Sequence, residues 1–510
     1  MSFTESVSFA LLDWHCSELR LPLKKQSMHH HGTLILRGRS DIDRLPNELL
    51  STIFMFAIEQ HCHDASTLTI SPTTISHICQ RWRRVSLDTG SLWTNVVLTF
   101  PPSNEQLTRT STWLSRSKTY PLDILLDFRD PEWDWEEEGT HGFGWTDMEA
   151  VLRLLLPTAA RWRIMELLTD TWAPIFAFLL HTRALGSPLK RLEKLHLARC
   201  NAYFARKGQV FEPADLGQHL PLFGGAGAVV PRLREVMLTG VHIDWSAPPL
   251  ANLTKLELKY QAVDVMPTVA HFIQILAASP SLETLAIVGR GPQFPAAAAA
   301  AVNGGSAEAD ARALRGTIKL ARVTQFTFGF VDVNYAVQLL SLFDLPALCE
   351  LSLEDVSASL RHQPPDDASV LLEWLVGAAN DTNDTPISPP VFEDAVDSTS
   401  ASTSRLPLGQ LHTLVLLSIH APRPTFARLY DVCPGLHVLR LYDVCDGALE
   451  ALERLFPDDV LPRLETLFVR GTDKEIFTRV VSGRGTVLND TQFEDSTICE
   501  YAEDDEETTS

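Results

Sequence analysis

Histidine and cysteine are the residues here whose types could do chemistry, and their spacing argues against most of it. His61-Cys62-His63 sets three metal-ligand side chains in succession, but neighbours in one short loop seldom converge on a tetrahedral ion. His29-His30-His31 meets the same objection. The eight cysteines, Cys16, Cys62, Cys79, Cys200, Cys349, Cys433, Cys445 and Cys499, lie far apart without the paired spacing of a zinc site. They read as reduced, mostly buried thiols of a cytosolic or nuclear protein. Gly224-Gly-Ala-Gly and Gly483-Arg-Gly lack the Lys and the strand-to-helix setting of a phosphate loop. There is no Gly-x-Ser-x-Gly elbow and no His-Glu-x-x-His helix. The expectation is a protein without catalytic residues, metal or cofactor, whose work is binding.

Charge narrows what it binds. With 43 Lys and Arg against 64 Asp and Glu, the formal net charge is −21. Nucleic acid requires clustered cations to displace counterions, and no basic stripe stands out. No apolar stretch reaches the roughly 18 residues that span a bilayer, and the first residues lack the basic start of a secretory signal. The Asn-X-Thr triplets at Asn252, Asn380, Asn383 and Asn489 are therefore read as chance. A soluble intracellular protein that binds other proteins is expected.

The apolar residues of 41–98 suggest one such surface. Asp41-Ile-Asp-Arg-Leu-Pro-Asn-Glu opens a helix, with Pro46 suited to a first turn and Glu48 to the dipole. Leu45, Leu49, Ile53 and Phe56 recur at helical spacing, widened by Leu50, Phe54 and Ala57. A helix so broadly apolar must bury two faces. A second helix is expected from Thr73 to Thr89, with Ile75, Ile78, Cys79, Trp82, Val85 and Ser86 inward, and Trp93 with a strand-like run closes the unit. About sixty residues make a thin core that gains from a partner on its exposed side.

Leu45-Pro46-x-Glu48-Leu49-Leu50-x-x-Ile53-Phe54, then Ile78-Cys79-x-x-Trp82-Arg83, then Leu92-Trp93, resembles an F-box. The resemblance covers about a tenth of the chain. It implies docking to a Skp-type adaptor and through it to a cullin–RING ubiquitin ligase. Carried over by position, Leu45, Pro46, Leu49, Leu50, Ile53 and Phe54 would dock or form the core, supported by Ile78, Trp82 and Trp93. The spacer Glu59–Pro72 is longer than the compact F-box pattern. Beyond the module, a helix at Asn104–Lys118, Tyr120-Pro121 and a period-two strand of Leu122, Ile124, Leu126 and Phe128 are similar to the link that follows the F-box in many fungal F-box proteins.

One spacing then returns ten times: an apolar residue, two variable ones, an apolar residue, one variable, an apolar residue. It falls at Trp162/Met165/Leu167, Leu192/Leu195/Leu197, Leu233/Val236/Leu238, Leu253/Leu256/Leu258 and Leu282/Leu285/Ile287. It continues at Val323/Phe326/Phe328, Leu348/Leu351/Leu353, Leu411/Leu414/Leu416, Leu436/Leu439/Leu441 and Leu464/Leu467/Val469. The last two positions alternate on a short strand facing the core, and the first turns in from the preceding bend. Stacked copies would make a parallel sheet on one face with helices such as Ala270–Ala278 and Ala336–Phe343 on the other. A leucine-rich-repeat-like α/β solenoid is expected, though only Cys200 matches that family's usual Asn or Cys after the strand.

The organisation expected is a flexible arm at 1–40, a small all-α F-box at 41–98, a linking helix and strand at 99–158, the solenoid at 159–482, and an acidic disordered tail at 483–510. Biased insertions interrupt the solenoid at 208–230, 292–313 and 380–405. The side chains between the leucines, including Lys194, His196, Glu235, Met237, Lys255, Glu257 and Lys259, point away from the core and could read a target protein. Arg440, Tyr442, Phe468 and Arg470 form the aromatic–arginine set most like a binding hot spot. Two other readings stand beside a ligase receptor. One is an F-box scaffold without a degraded target; the other is a leucine-rich-repeat module whose front helices only cap it.

Overall fold

A parallel strand cannot turn directly into its neighbour; it needs a crossover that returns the chain to the same end of the sheet. The recurrent spacing supplies one crossover after another. The computed structural model describes residues 41–59, 71–133, 140–185, 189–200, 214–228, 230–246, 248–261, 265–294, 318–357, 366–377, 406–453, 461–484, 488 and 490–494. The arm 1–40, most of the spacer with His61-Cys62-His63, the insertion 380–405, most of 292–313 and residues 495–510 lie outside them.

The front is helical: α1 (Asn47–Glu59), α2 (Pro72–Ser76) and α3 (Gln80–Asp88), followed by α4 (Asn104–Arg116). The helix expected over Thr73–Thr89 is broken in two. Cys79 is extended and its thiol accepts the Trp82 N–H as an N-cap, so the apolar periodicity runs through a break it does not register. Ser71 and Ser103 cap α2 and α4 in the same way.

The sheet is mixed with helices and wholly parallel, with thirteen strands in sequential order. These are β1 (Asn95–Thr99), β2 (Leu122–Asp127), β3 (Trp162–Thr169), β4 (Lys194–Arg199), β5 (Glu235–Thr239), β6 (Lys255–Gln261) and β7 (Thr284–Gly289). After the two-residue β8 (Ile318–Lys319) come β9 (Gln325–Phe330), β10 (Phe343–Asp344), which pairs only with β8, and β11 (Glu350–Asp355). The sheet ends with β12 (Thr413–Leu417), β13 (Val438–Tyr442), β14 (Thr466–Arg470) and β15 (Asp490–Glu494).

All ten copies of the spacing lie at strands of this sheet. Their last positions stack into one apolar row, from Leu167 through Leu197, Ile287 and Phe328 to Leu441 and Val469, and Leu126 and Leu98 of β2 and β1 extend it. The first position closes a turn: Leu192 N–H bonds Leu189 O at 3.3 Å, and Leu436 N–H bonds Cys433 O at 3.1 Å. The residues just before the strands continue the ladder, as in Glu193 N–H to Arg163 O and Arg234 N–H to Glu193 O, each 2.8 Å.

Helices α5 (Trp145–Leu155), α6 (Trp172–Thr182), α7 (Val269–Ala277), α8 (Val333–Leu340), α9 (Ser369–Val376) and α10 (Arg423–Asp431) share the strands' core, followed by α11 (Gly447–Glu450) and α12 (Lys474–Arg484). Thr268 and Asp332 cap α7 and α8. The turns are tight. A Cβ on Gly435 would lie 2.9 Å from Gly409 O and 3.3 Å from Leu411 O. Both obstacles are backbone, so Gly435→Ala should lower stability by about 1–3 kcal/mol; an unchanged denaturation midpoint would contradict this packing.

Two boundaries differ from expectation. The sheet starts at Asn95 rather than near 159, because the run after Trp93 and the linking strand are its first two strands. It also extends past 483: β15 pairs in register with β14. That segment, Asp-Thr-Gln-Phe-Glu, reads as tail because an edge strand has one paired side and needs little apolar character. Its acids at both ends disfavour further strand addition. At the opposite edge, Gln106 Oε1 takes the Thr99 N–H at 3.1 Å.

Candidate functional site

Helix α1 meets three environments. Leu50 and Phe54 point into a small core with Ile75, Val85, Leu92 and Trp93. Met55 and Ile58 border a cavity of about 350 Å³ that also touches Tyr120, Pro121, Asp123 and Arg163. Leu49, Ile53 and Phe56 share the remaining face and are 51, 42 and 59% exposed. Four of the seven exposed large apolar side chains among the described residues belong to this module, the fourth being Ile78 at 58%.

The small core is pinned from both sides. Phe54 and Trp82 pack with ring centroids 4.8 Å apart. Trp93 is fully buried, donates from Nε1 to Ser86 O at 2.8 Å, and meets Trp113 of α4 edge-on at 5.5 Å. Arg116 lies over the Trp93 ring at 4.4 Å. Arg81 bonds Asn47 Oδ1 and Leu45 O, tying the start of α3 to the start of α1. Lys118 Nζ reaches Asp88 O at 2.7 Å, and Arg161 bonds the end of α4, so the module sits against the first strands.

The nine residues expected at a docking surface therefore divide. Pro46, Leu49, Ile53 and Ile78 are exposed; Leu45 and Trp82 are half-buried against the small core. Leu50, Phe54 and Trp93 are buried and cannot touch a partner in this conformation. Ile78 was expected on the inner face; the break at Cys79 turns it outward. Phe56 was not singled out as a contact, although its place seven residues after Leu49 puts it on the same face.

The second expected site is on the sheet face away from the leucine row. Tyr442 and Phe468 pack at 5.0 Å, and Arg470 lies 5.1 Å over the Tyr442 ring while pairing with Asp443 at 3.0 Å. Burial pushes the Tyr442 phenol up, against the pull of Arg440 and Arg470. At 5% exposure Tyr442 is mostly floor rather than contact, clustered with Val415 and Leu417. Arg440 is exposed and Phe468 half-buried.

Earlier strands carry paired charge on this face. Glu166 takes Lys194 at 2.7 Å, and the His196 ring stands 3.9 Å from it, beyond hydrogen-bond distance. Glu257 is held by Lys255 and Lys259, both at 2.8 Å. Burial alone would raise the Glu257 carboxyl, but the two lysines bring it to about 2. A depressed carboxyl stabilises the fold above its unfolded value near 4.5 and loses that contribution as pH falls towards about 2. Melting temperatures of wild type and Glu257→Gln should thus differ at neutral pH and converge as pH falls through that window; a constant gap would contradict the assignment.

No group of three or more His, Cys, Asp or Glu among the described residues could hold a metal ion, and no helix among them is long and apolar enough to cross a membrane. Trp133 donates from Nε1 to Thr140 Oγ1 at 3.0 Å and meets His141 edge-on. No protein-family model and no curated protein matches the chain.

Proposed function

We propose that this chain is an F-box protein: the substrate-recognition subunit of an SCF-type ubiquitin ligase, whose α1 face docks a Skp-type adaptor. In this reading the thirteen-stranded sheet and its helices are a degenerate leucine-rich-repeat solenoid that holds a target protein. The observation that carries the proposal is the exposed row Leu49, Ile53 and Phe56 on a helix whose opposite side is already committed to a core. A solvent-facing apolar row on a thin module is a cost that a permanent partner removes. The resemblance of Leu45–Phe54, Ile78–Arg83 and Leu92-Trp93 to the F-box pattern supports a Skp-type adaptor as that partner.

The sheet supports the other half. Ten copies of one spacing lie at consecutively paired parallel strands, as a stacked repeat requires. The chain contributes no nucleophile; it raises the effective concentration of a target beside a transferring enzyme. The target reading has its own test. Affinity purification of the wild type and of Leu49→Asp/Ile53→Asp, compared by mass spectrometry, should lose the adaptor and keep the target. The target should also accumulate when the protein is deleted. Adaptor binding without any such accumulation would leave a scaffold in place of a degradation receptor.

A further inference from the structure

We propose that Arg440, with Val415 and Phe468 on either side of it, is the contact for an acidic segment of a target protein, one carrying an Asp or Glu beside a large apolar residue. This rests on the receptor reading above and adds the chemistry of what is received.

Six Lys and Arg of the thirteen strands are exposed or half-buried: Arg163, at the bulge of β3, and Lys194, Lys255, Lys259, Arg440 and Arg470. Five are neutralised within the chain, Arg163 by Asp123, Lys194 by Glu166, Lys255 and Lys259 by Glu257, and Arg470 by Asp443. Arg440 alone has no carboxylate partner among the described residues, and it is exposed. The register places it directly between Val415 of β12 and Phe468 of β14, one strand spacing of ~4.8 Å from each. Leu417 and Tyr442 pave the adjoining row.

A guanidinium flanked by apolar side chains suits a ligand that presents both kinds of group. A carboxylate that meets Arg440 gains a charge-assisted bond, and a neighbouring apolar residue covers half-buried Phe468, with the buried Val415 as floor. A single available guanidinium fits one carboxylate better than a dianionic phosphate, which is usually met by a cluster of arginines. Asp490 and Glu494 on the adjacent strand would repel a polyacidic ligand, including residues 495–510 with their seven acids and no Lys or Arg.

The test is selection of displayed random peptides on the purified full chain, followed by affinity measurement on synthetic copies of those recovered. Recovered sequences should pair Asp or Glu with Phe, Tyr, Trp, Leu or Ile. Arg440→Gln should weaken them about tenfold, and Arg440→Glu should turn the selection towards Lys and Arg. Arg440 is exposed, and circular dichroism of both variants should match the wild type.

Peptides without acids, affinity indifferent to Arg440→Glu, or no recovered peptide would overturn the proposal. So would tenfold tighter binding when phosphoserine replaces the Asp, or a tenfold gain when the chain is cut after Glu494, which would make the tail the occupant. Adaptor binding is measured on the same preparations. Wild type that holds the adaptor but selects no acidic peptide overturns this site alone; wild type that selects the peptide but holds no adaptor overturns the ligase reading and keeps this site.

Discussion

Trp93→Ala should unfold the front module while leaving the sheet folded. The indole is fully buried, its N–H satisfies Ser86 O, and its ring is held by Trp113 and Arg116. Truncating a buried Trp costs about 3–5 kcal/mol, and the unpaired Ser86 carbonyl adds to it. Among the described residues the module's buried core holds Leu50, Phe54, Ile75, Val85, Leu92 and Trp93, and a core so small has only a few kcal/mol to lose. The sheet has a separate, continuous core from Val96 to Val480. Hydrogen exchange read by mass spectrometry should show residues 47–59 and 80–88 losing protection while β3 to β14 keep theirs. Protection unchanged in α1 would mean that Trp93 does not hold the module together.

The second large effect falls on binding and spares folding. Leu49→Asp with Ile53→Asp replaces two side chains already half in solvent, so the loss in stability is small, of the order of the helix-propensity difference of some tenths of a kcal/mol per site. Leu49 also lies in the first turn of α1, where a carboxylate is favoured by the helix dipole. In the proposed complex both carboxylates would be driven into an apolar interface without partners. That costs several kcal/mol, and about 4 kcal/mol is a thousandfold in affinity. Trp93→Ala and the double Asp variant would both abolish docking for opposite reasons, and circular dichroism separates them. A double variant that loses the α1 signal would assign Leu49 and Ile53 to the core instead.

Much of this architecture was legible because the strands have one buried face and a turn of constant length. Leu192, Leu195 and Leu197 show how: one residue closes the turn, and two alternate into the core. The same periodicity failed where one residue carries a backbone role that apolarity does not reveal. Cys79 looks like part of an inner face and is an N-cap, which sends Ile78 outward. At the margins the pattern faded because edge strands need less of it. β15 has Phe493 as its single apolar residue, and β1 follows the module so closely that it reads as its closing segment. Tyr442 was legible as an aromatic beside Arg470, but its burial depends on Leu417 and Phe468 from neighbouring strands. The surface of α1 was legible as too broadly apolar for one core, and spacing alone sets Phe56 beside Leu49 and Ile53; that this side is the exposed one required the fold.

The central claim is that this exposed side docks an adaptor, and binding between purified components tests it most directly. Full-length protein titrated with a purified Skp-type adaptor in a calorimeter should form a one-to-one complex. The Leu49→Asp/Ile53→Asp protein, with an unchanged circular dichroism spectrum, should give no measurable heat of binding. A wild type that ignores the adaptor, or a double variant that binds it as tightly as the wild type, would contradict the account.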